Sequence, residues 1–358
     1  MKGRRLQPAT RSLRMWCCAL LAAALTGYGL PARAQVSPTT GCEVPPGRFL
    51  PVLVSVGHES GTARAGGKNV KAAGAGKVAL WGVQQADIVY ESLLYRNEQK
   101  NAASTRLTLL LSDALLRGEK VTCGPVRSLR DASASLREEW QGALAFGSPM
   151  GSRRLGEAVE RLKADSAAFD LVDIQRGGLG GRLKGVKAPS NLSVDVSALQ
   201  ARVAADSLAR PFAFAQEASR DATALTLDWG DARYLARFLW DEAAGGYLRE
   251  VAGWPFACYP TEEARMAGEE AAMVQPAFAN VIVQWVDYDA LGPIIQNPVL
   301  VGEGAADLFA GGRHVRGTWL RGAPQDRTFY RDETGREIAL SPGKTWIALF
   351  PANAALIF

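Results

Sequence analysis

ADIVYESLLY (86–95) and TRLTLLLS (105–112) decide the fold. Each has the length of a central strand, and each is rich in the aliphatic, aromatic and β-branched residues that suit a pleated, buried surface. Upstream, PVLVSVG (51–57) is a third strand with turn residues after it. The Gly/Ala/Lys-rich stretch Gly61 to Gly76 has no periodicity and reads as a loop. Downstream, Ser128 to Ala145 has helical composition, with Leu129, Leu136 and Trp140 near helical spacing. SRRLGEAVERLKAD (152–165) is amphipathic, with Leu155, Ala158, Val159 and Leu162 on one side. FDLVDI (169–174) is a short strand, and SVDVSALQARVAAD (193–206) a third helix capped by Ser193 or Asp195. Strands mixed with helices make this half an α+β or α/β unit.

From about Arg210 the texture changes. TALTLDW (223–229), ARYLARFLW (232–240), GGYLREV (245–251), NVIVQWVDY (280–288), RHVRGTWLR (313–321), REIALS (336–341) and KTWIALF (344–350) are short alternating runs between Gly/Asp turns. Such spacing predicts a mostly antiparallel β domain. No repeat of 20–50 residues is present. The boundary falls near 207–212, at Pro211. The organisation read from the chain is residues 1–34 as an export signal, 35–47 as a Pro/Gly-rich linker, 48–208 as the α/β domain and 209–358 as the β-rich domain.

The export signal rests on a basic start (Lys2, Arg4, Arg5, Arg11, Arg14), a short apolar run from Met15 to Leu25, and Ala32-Arg33-Ala34 as an A-x-A-like cleavage site. No later run approaches a membrane span, so no stable span is expected after cleavage and the location is read as periplasmic or secreted. The signal also alters the charge. The whole chain carries 41 Lys+Arg against 36 Asp+Glu, a net +5. Removing the six basic residues of 1–34 leaves 35 against 36, a net of −1. A nearly neutral chain has no bulk attraction for a phosphate backbone, so no nucleic-acid partner is expected.

Of five cysteines, Cys42, Cys123 and Cys258 lie beyond the signal. In an oxidising compartment they can form at most one disulfide. Cys42–Cys123 is the candidate pair, with three unpaired thiols as the alternative. With two His in the chain and no C-x-x-C spacing, no metal site is expected. No cofactor is implied either. GGLGGRLKG (177–185) is neither a Walker A loop nor a dinucleotide fingerprint; it reads as a flexible loop with Arg182 available to a ligand.

The candidate site lies in the first domain. Asp87 and Glu91 share a face of one strand, because side chains alternate with period two. Arg106 opens the next strand. GPVRSLR (124–130) turns into a helix, placing Arg127 near its N-terminus and Arg130 a turn later. Helix-start N–H groups and guanidinium forks both favour anions. FGSPMGSRR (146–154) is a second such turn, with Ser148 at its start. The alternative is a structural network in which Asp87 and Glu91 pair with those Arg side chains. Ser-His-Asp chemistry is poorly supported, since His58 and His314 fall in different halves. The second half's Trp and Tyr residues suit a sugar-binding face or, more commonly, core packing.

ADIVYE (86–91), Thr105-Arg106, GPVRSLR (124–130) and GSP (147–149), with NVIVQ (280–284), VGEGAADLFAGGR (301–313), GTW (317–319) and GKTWIALFP (343–351), resemble the YerB-like family of bacterial exported proteins and lipoproteins. The resemblance spans nearly all of the chain beyond the signal, in order. It implies an N-terminal α/β part and a C-terminal β-rich part, and little about activity. It also implies His in relatives where this chain has Leu144, Ser190 (in Ala188-Pro189-Ser190-Asn191) and Phe256, so chemistry resting on those His is not expected here. The acidic and Arg set is retained, together with Asn191, whereas the lipid-attachment site is not.

The resulting reading is an envelope-associated binding protein that takes a polar or anionic ligand, or an envelope protein partner, through Arg106, Arg127 and Arg130, with Asp87 and Glu91 orienting them. The alternatives are a cell-envelope hydrolase or transferase with carboxylate catalysis at Glu91, and a scaffold of an envelope complex.

Overall fold

A computed structural model describes residues 34–65, 68–147, 156–163, 165–172, 178–216, 220–290 and 296–358. The export signal, except Ala34, lies outside the described residues, as do Ser148 and Leu155.

Both deciding stretches are strands. Ile88–Asn97 and Ala102–Leu111 pair antiparallel, with Glu91 opposite Leu107, Ser92 opposite Arg106, and a bulge between Leu93 and Tyr95. They lie inside a ten-stranded sheet of order Ala168–Asp170, Ala143–Phe146, Val52–Val56, Ala102–Leu111, Ile88–Asn97, Thr345–Pro351, Asn280–Val286, Gly302–Ala310, Arg313–Arg321, Phe329–Arg331. Strand Thr345–Pro351, from near the end of the chain, runs parallel to Ile88–Asn97, with Ala348 beside Glu91. This position explains why both stretches are nearly all apolar. A strand covered on both faces reads as a continuous hydrophobic run.

Alternate residues feed two cores. Val54, Val89, Leu107 and Leu109 pack with Leu225, Phe238, Tyr247 and Trp346. This is the interior between the large sheet and a second, antiparallel sheet of order Trp254–Pro255, Gly246–Val251, Ala236–Asp241, Ala224–Asp228, Ala355–Ile357. The opposite face, through Leu53, Tyr90 and Leu110, is covered by helix Asp131–Trp140, helix Glu157–Leu162, Phe212 and Tyr330. The expected α/β half and antiparallel β half are both present, but each core draws side chains from both. The change of texture near 207–212 is a change of strand type and leaves the core unbroken.

Several local expectations are corrected. The stretch read as a loop is the hairpin Ser60–Ala65 with Lys68–Ala73. Its ladder is a main-chain feature with no side-chain alternation to reveal it. Gly61 is required there, since a Cβ would sit 2.0 Å from the Ala75 carbonyl oxygen. The expected helix 193–206 opens as strand Leu192–Asp195 before a short helix Val196–Gln200, capped by Asp195, whose carboxylate accepts from the Ala198 N–H. GGLGGRLKG contributes strand Gly180–Arg182, paired with Leu192–Asp195. REIALS forms only isolated bridges, through Glu337 and Leu340. Among the Trp and Tyr residues, Trp229, Tyr247 and Trp346 are wholly buried core residues.

The expected linker 35–47 is instead an ordered strap. Gln35–Val36 pairs with Glu43–Val44, and Ser37, Thr39 and Thr40 in the turn between them are buried. Ser37 Oγ donates to Asp113 Oδ1 (2.6 Å), Thr40 Oγ1 to Asp113 Oδ2 (2.5 Å) and Thr39 Oγ1 to Asp87 Oδ2 (2.8 Å). The Asp113 N–H also donates to Asp87 Oδ2 (3.2 Å). Three hydroxyls thus serve two buried carboxyls whose burial would otherwise be costly. Burial, then the neighbouring Asp113, pushes the Asp87 carboxyl well above the usual carboxylate range. A carboxyl raised in the fold holds its proton more tightly folded than unfolded. Its contribution to stability therefore falls as pH rises from about 4 towards the raised value. Asp87→Asn keeps an acceptor for Thr39 and removes the titration. The melting temperature of the variant minus that of the native protein should therefore grow between about pH 4 and pH 8; a constant difference would contradict the assignment.

Candidate functional site

The Arg cluster forms where the first central strand ends. Beyond Val52–Val56 the chain turns through Gly57-His58-Glu59. The Gly57 N–H donates to the Pro125 carbonyl (2.9 Å), and the Arg127 N–H to the Ser55 carbonyl (2.8 Å). These two hydrogen bonds lay the GPVR turn along the strand end. Arg127 Nη2 then meets Glu59 Oε1 at 2.8 Å, and Arg106 Nη2 lies 3.9 Å from the same oxygen. Gly57 permits this approach, because a Cβ there would stand 2.3 Å from Glu59 Oε2 and 3.1 Å from Arg127 Nε. Arg127 Nη1 also donates to the Pro189 carbonyl (2.7 Å), which ties the 178–191 segment to the cluster. Asn191, at the end of that segment, accepts from Arg182 Nη1 (3.0 Å), so Arg182 is engaged within it. Arg130 Nη1 donates to the Leu129 carbonyl (2.7 Å).

Two guanidinium groups therefore meet one carboxylate, and that of Arg130 lies near enough to Arg106 to act on its charge. Burial, opposed by Glu59 and reinforced by Arg130 and Arg127, brings the Arg106 guanidinium down to about 10. Burial lowers Arg130 as well. Burial alone would raise the Glu59 carboxyl, but Arg106 and Arg127 outweigh it and hold it below the usual range. Arg106 Nε and Nη1, Arg127 Nε and Arg130 Nε are buried donors with no acceptor among the described residues. The Glu59 side chain is 36% exposed, so solvent reaches the cluster on that side.

Asp87 and Glu91 do not orient these Arg side chains, and that expectation is corrected. Glu91 stands opposite Leu107 and shares its face, whereas Arg106 stands opposite Ser92 on the other face. Asp87 serves the N-terminal strap, about 13 Å along the chain from Glu91 at strand spacing. Glu91 is fully buried and bound by Arg249 Nη2 at 3.1 Å to each oxygen. Thr105 Oγ1 donates to Glu91 Oε1 (2.8 Å) and accepts from His58 Nδ1 (2.6 Å), while Arg249 Nη1 donates to His58 Nε2 (3.3 Å). These partners close a ring of hydrogen bonds and assign the imidazole proton to Nδ1. Burial lowers the His58 pKa against the pull of Glu91, in keeping with a neutral ring. Burial would raise Glu91, but Arg249 and His58 bring it below the usual range. A carboxylate so enclosed has no route to a substrate in this conformation.

The expected Cys42–Cys123 disulfide is absent. All three described cysteines are free: Cys42 is exposed in the strap, whereas Cys123 and Cys258 are buried. Cys123 Sγ donates to the Gly82 carbonyl (3.7 Å), and burial raises its thiol. The strap is tied down by its hydroxyls instead. The three positions where the resemblance implies His in relatives are dispersed. Leu144 packs in the helix-covered core, Phe256 in the core between the sheets, and Ser190 lies in the 178–191 segment. Among the described residues no three His, Cys, Asp or Glu converge as a metal centre requires, and no helix is long and apolar enough to cross a membrane.

Sequence reasoning missed Glu59 and Arg249. Glu59 carried a usable signal, a charged residue at the end of a nearly all-apolar strand. Arg249 carried none, because its strand GGYLREV alternates like any half-exposed one.

Two family models match in chain order: the N-terminal domain of a protein of unknown function (DUF3048) over residues 71–209, and its C-terminal domain over 225–347. The chain belongs to the DUF3048 family. The crystal structure of the YerB protein from Bacillus subtilis is similar to this DUF3048 chain at a TM-score of 0.67 and 18% identity, covering 90% of this chain and 100% of that one. No curated protein matches. The likeness to YerB carries the fold, in which the two DUF3048 segments share one central sheet.

The Arg249–Glu91 pair spans those two segments. Arg249→Met leaves Glu91 buried without its counter-charge and should cost about 3–5 kcal/mol. Glu91→Leu combined with Arg249→Met should be more stable than Arg249→Met alone. Urea denaturation of the two variants and the native protein measures both; a single variant as stable as the native protein would rule out the pair as a structural tie.

Proposed function

We propose that this DUF3048 protein is an exported binding protein that takes an anionic group at Arg106, Arg127 and Arg130. The observation that carries the reading is the unequal charge at that site. Arg106 and Arg127 share the single carboxylate of Glu59, and Arg130 has no carboxylate partner among the described residues. Four buried nitrogens of the three side chains lack acceptors there, against one unpartnered acceptor, Glu59 Oε2. Buried donors without partners cost about 1–3 kcal/mol each, a cost that an anion would relieve. A carboxylate or phosphate matches the guanidinium fork, so the ligand class is a small oxyanion or an anionic group on a larger envelope molecule. Export rests on the signal-like residues 1–34. Enclosure of Glu91 by Arg249 speaks for binding over carboxylate catalysis.

The test is calorimetric titration with inorganic phosphate and with acetate at fixed ionic strength. The native protein should bind one of them. Arg127→Ala should weaken binding about tenfold or more, the loss of one charge-assisted contact. Gly57→Ala, which displaces Glu59 and Arg127 without removing charge, should also weaken it. Negligible binding by the native protein, or binding that Arg127→Ala leaves unchanged, sinks the proposal.

A further inference from the structure

A concave site lies in the other half of the large sheet, where two strands separate. The ladder between Asn280–Val286 and Gly302–Ala310 runs from Asn280 opposite Ala310 to Gln284 opposite Ala306 and stops there. Gly302–Ala310 stays paired with Arg313–Arg321 on its other side, as far as Gly302 opposite Arg321. The strands therefore splay into a wedge of about 420 Å³, lined by Trp285, Asp287, Val299, Val301, Arg316 and Trp319 among others. This size suits a small organic ligand.

The walls of the wedge are fixed. Trp319 Nε1 donates to the Trp285 carbonyl (2.8 Å), just beyond the last rung of the ladder. Trp285 Nε1 donates to Asp307 Oδ2 (2.7 Å), and Asp307 Oδ1 is held by His314 Nε2 (2.9 Å). Gly304 allows the close approach, since a Cβ would lie 2.6 Å from Trp319 Nε1. Both indole N–H groups are satisfied inside the protein; Trp319 is buried and Trp285 half-buried, so the apolar surface open to a ligand comes mainly from Trp285, Val299 and Val301. At the rim stand two exposed charges of opposite sign, Asp287 and Arg316. Neither makes a side-chain hydrogen bond or ion pair among the described residues, whereas the third charge, Glu303, is paired with Arg331 at 3.1 Å.

We propose that this wedge binds the zwitterion of a short apolar peptide, Arg316 taking the carboxylate, Asp287 the ammonium, and Trp285, Val299 and Val301 the apolar side chains, with buried Trp319 fixing the wall behind them. One cation and one anion that leave each other unpaired across an apolar cleft complement a ligand carrying both charges. A neutral sugar would use the indoles and leave Arg316 and Asp287 without counter-charges. The site is separate from the Arg106–Arg127–Arg130 cluster and does not depend on it.

The probe is the dipeptide Leu-Leu, with its N-acetyl and C-terminal amide derivatives, titrated calorimetrically into the full chain. Native protein should bind the dipeptide and lose about tenfold for each blocked end. Arg316→Gln should weaken the dipeptide about tenfold yet bind the amide as the native protein does. Asp287→Asn should show the mirror pattern with the N-acetyl form. Both residues are exposed, so neither change threatens folding, and Arg127→Ala should bind the dipeptide normally. No binding at millimolar dipeptide, binding indifferent to both substitutions, or binding of methyl glucoside in place of the peptide would each overturn the proposal.

Discussion

The buried ion pair between Arg249 and Glu91 is the constraint on which the two sheets depend. Glu91 belongs to a central strand of the large sheet and Arg249 to the second sheet, and both are wholly buried. Taking two charges out of water is costly, and attraction offsets that cost only when the remaining donors and acceptors are also satisfied. Here His58 and Thr105 complete the ring and leave only Arg249 Nε without an acceptor among the described residues, and the rings of Trp346 and Phe256 are centred 4.4 and 4.8 Å from the guanidinium carbon. The arrangement leaves little freedom for one sheet to slide on the other. A shift by one residue would bury Glu91 without its partner.

The same chemistry, less completely satisfied, distinguishes the Arg cluster. Arg249 offers one guanidinium to one carboxylate, with both terminal nitrogens engaged. Arg106 and Arg127 share one carboxylate, Arg130 beside them has none among the described residues, and the surplus donors are what recommend that site for a ligand. Proximity to solvent differs as well: Glu91 is enclosed, whereas Glu59 is partly exposed. Neighbouring strands thus present charges on opposite faces, one set enclosed in the fold and the other partly open to solvent. A third acidic site, Asp87 with Asp113, holds the N-terminal strap by accepting hydroxyl donors rather than by pairing with Arg.

The central strands are legible in the sequence because burial on both faces leaves a long apolar run bounded by polar residues. Helix Asp131–Trp140 and the cap at Asp195 are legible for similarly local reasons. The hairpin at 60–73 is not, since its ladder is made by main-chain groups in a Gly/Ala/Lys stretch. The strap at 35–44 is not, because its Ser and Thr residues look like linker composition until the buried carboxyls they serve are placed beside them. The site residues are half legible. Arg106, Arg127 and Arg130 stand out as a group, but sequence proximity points them at the wrong carboxylates, because strand alternation puts Arg106 and Glu91 on opposite faces.

By itself the sequence determined the mixed α/β first half and the antiparallel β second half, the family resemblance and the Arg residues worth attention, all of which follow from local composition, periodicity and short motifs. Tertiary structure alone decided which carboxylate meets which guanidinium, that strand Thr345–Pro351 lies beside Ile88–Asn97, and that the cysteines stay apart. Those facts depend on contacts between distant residues, as for Arg249 and Glu91, which are 158 positions apart, and no local pattern encodes them.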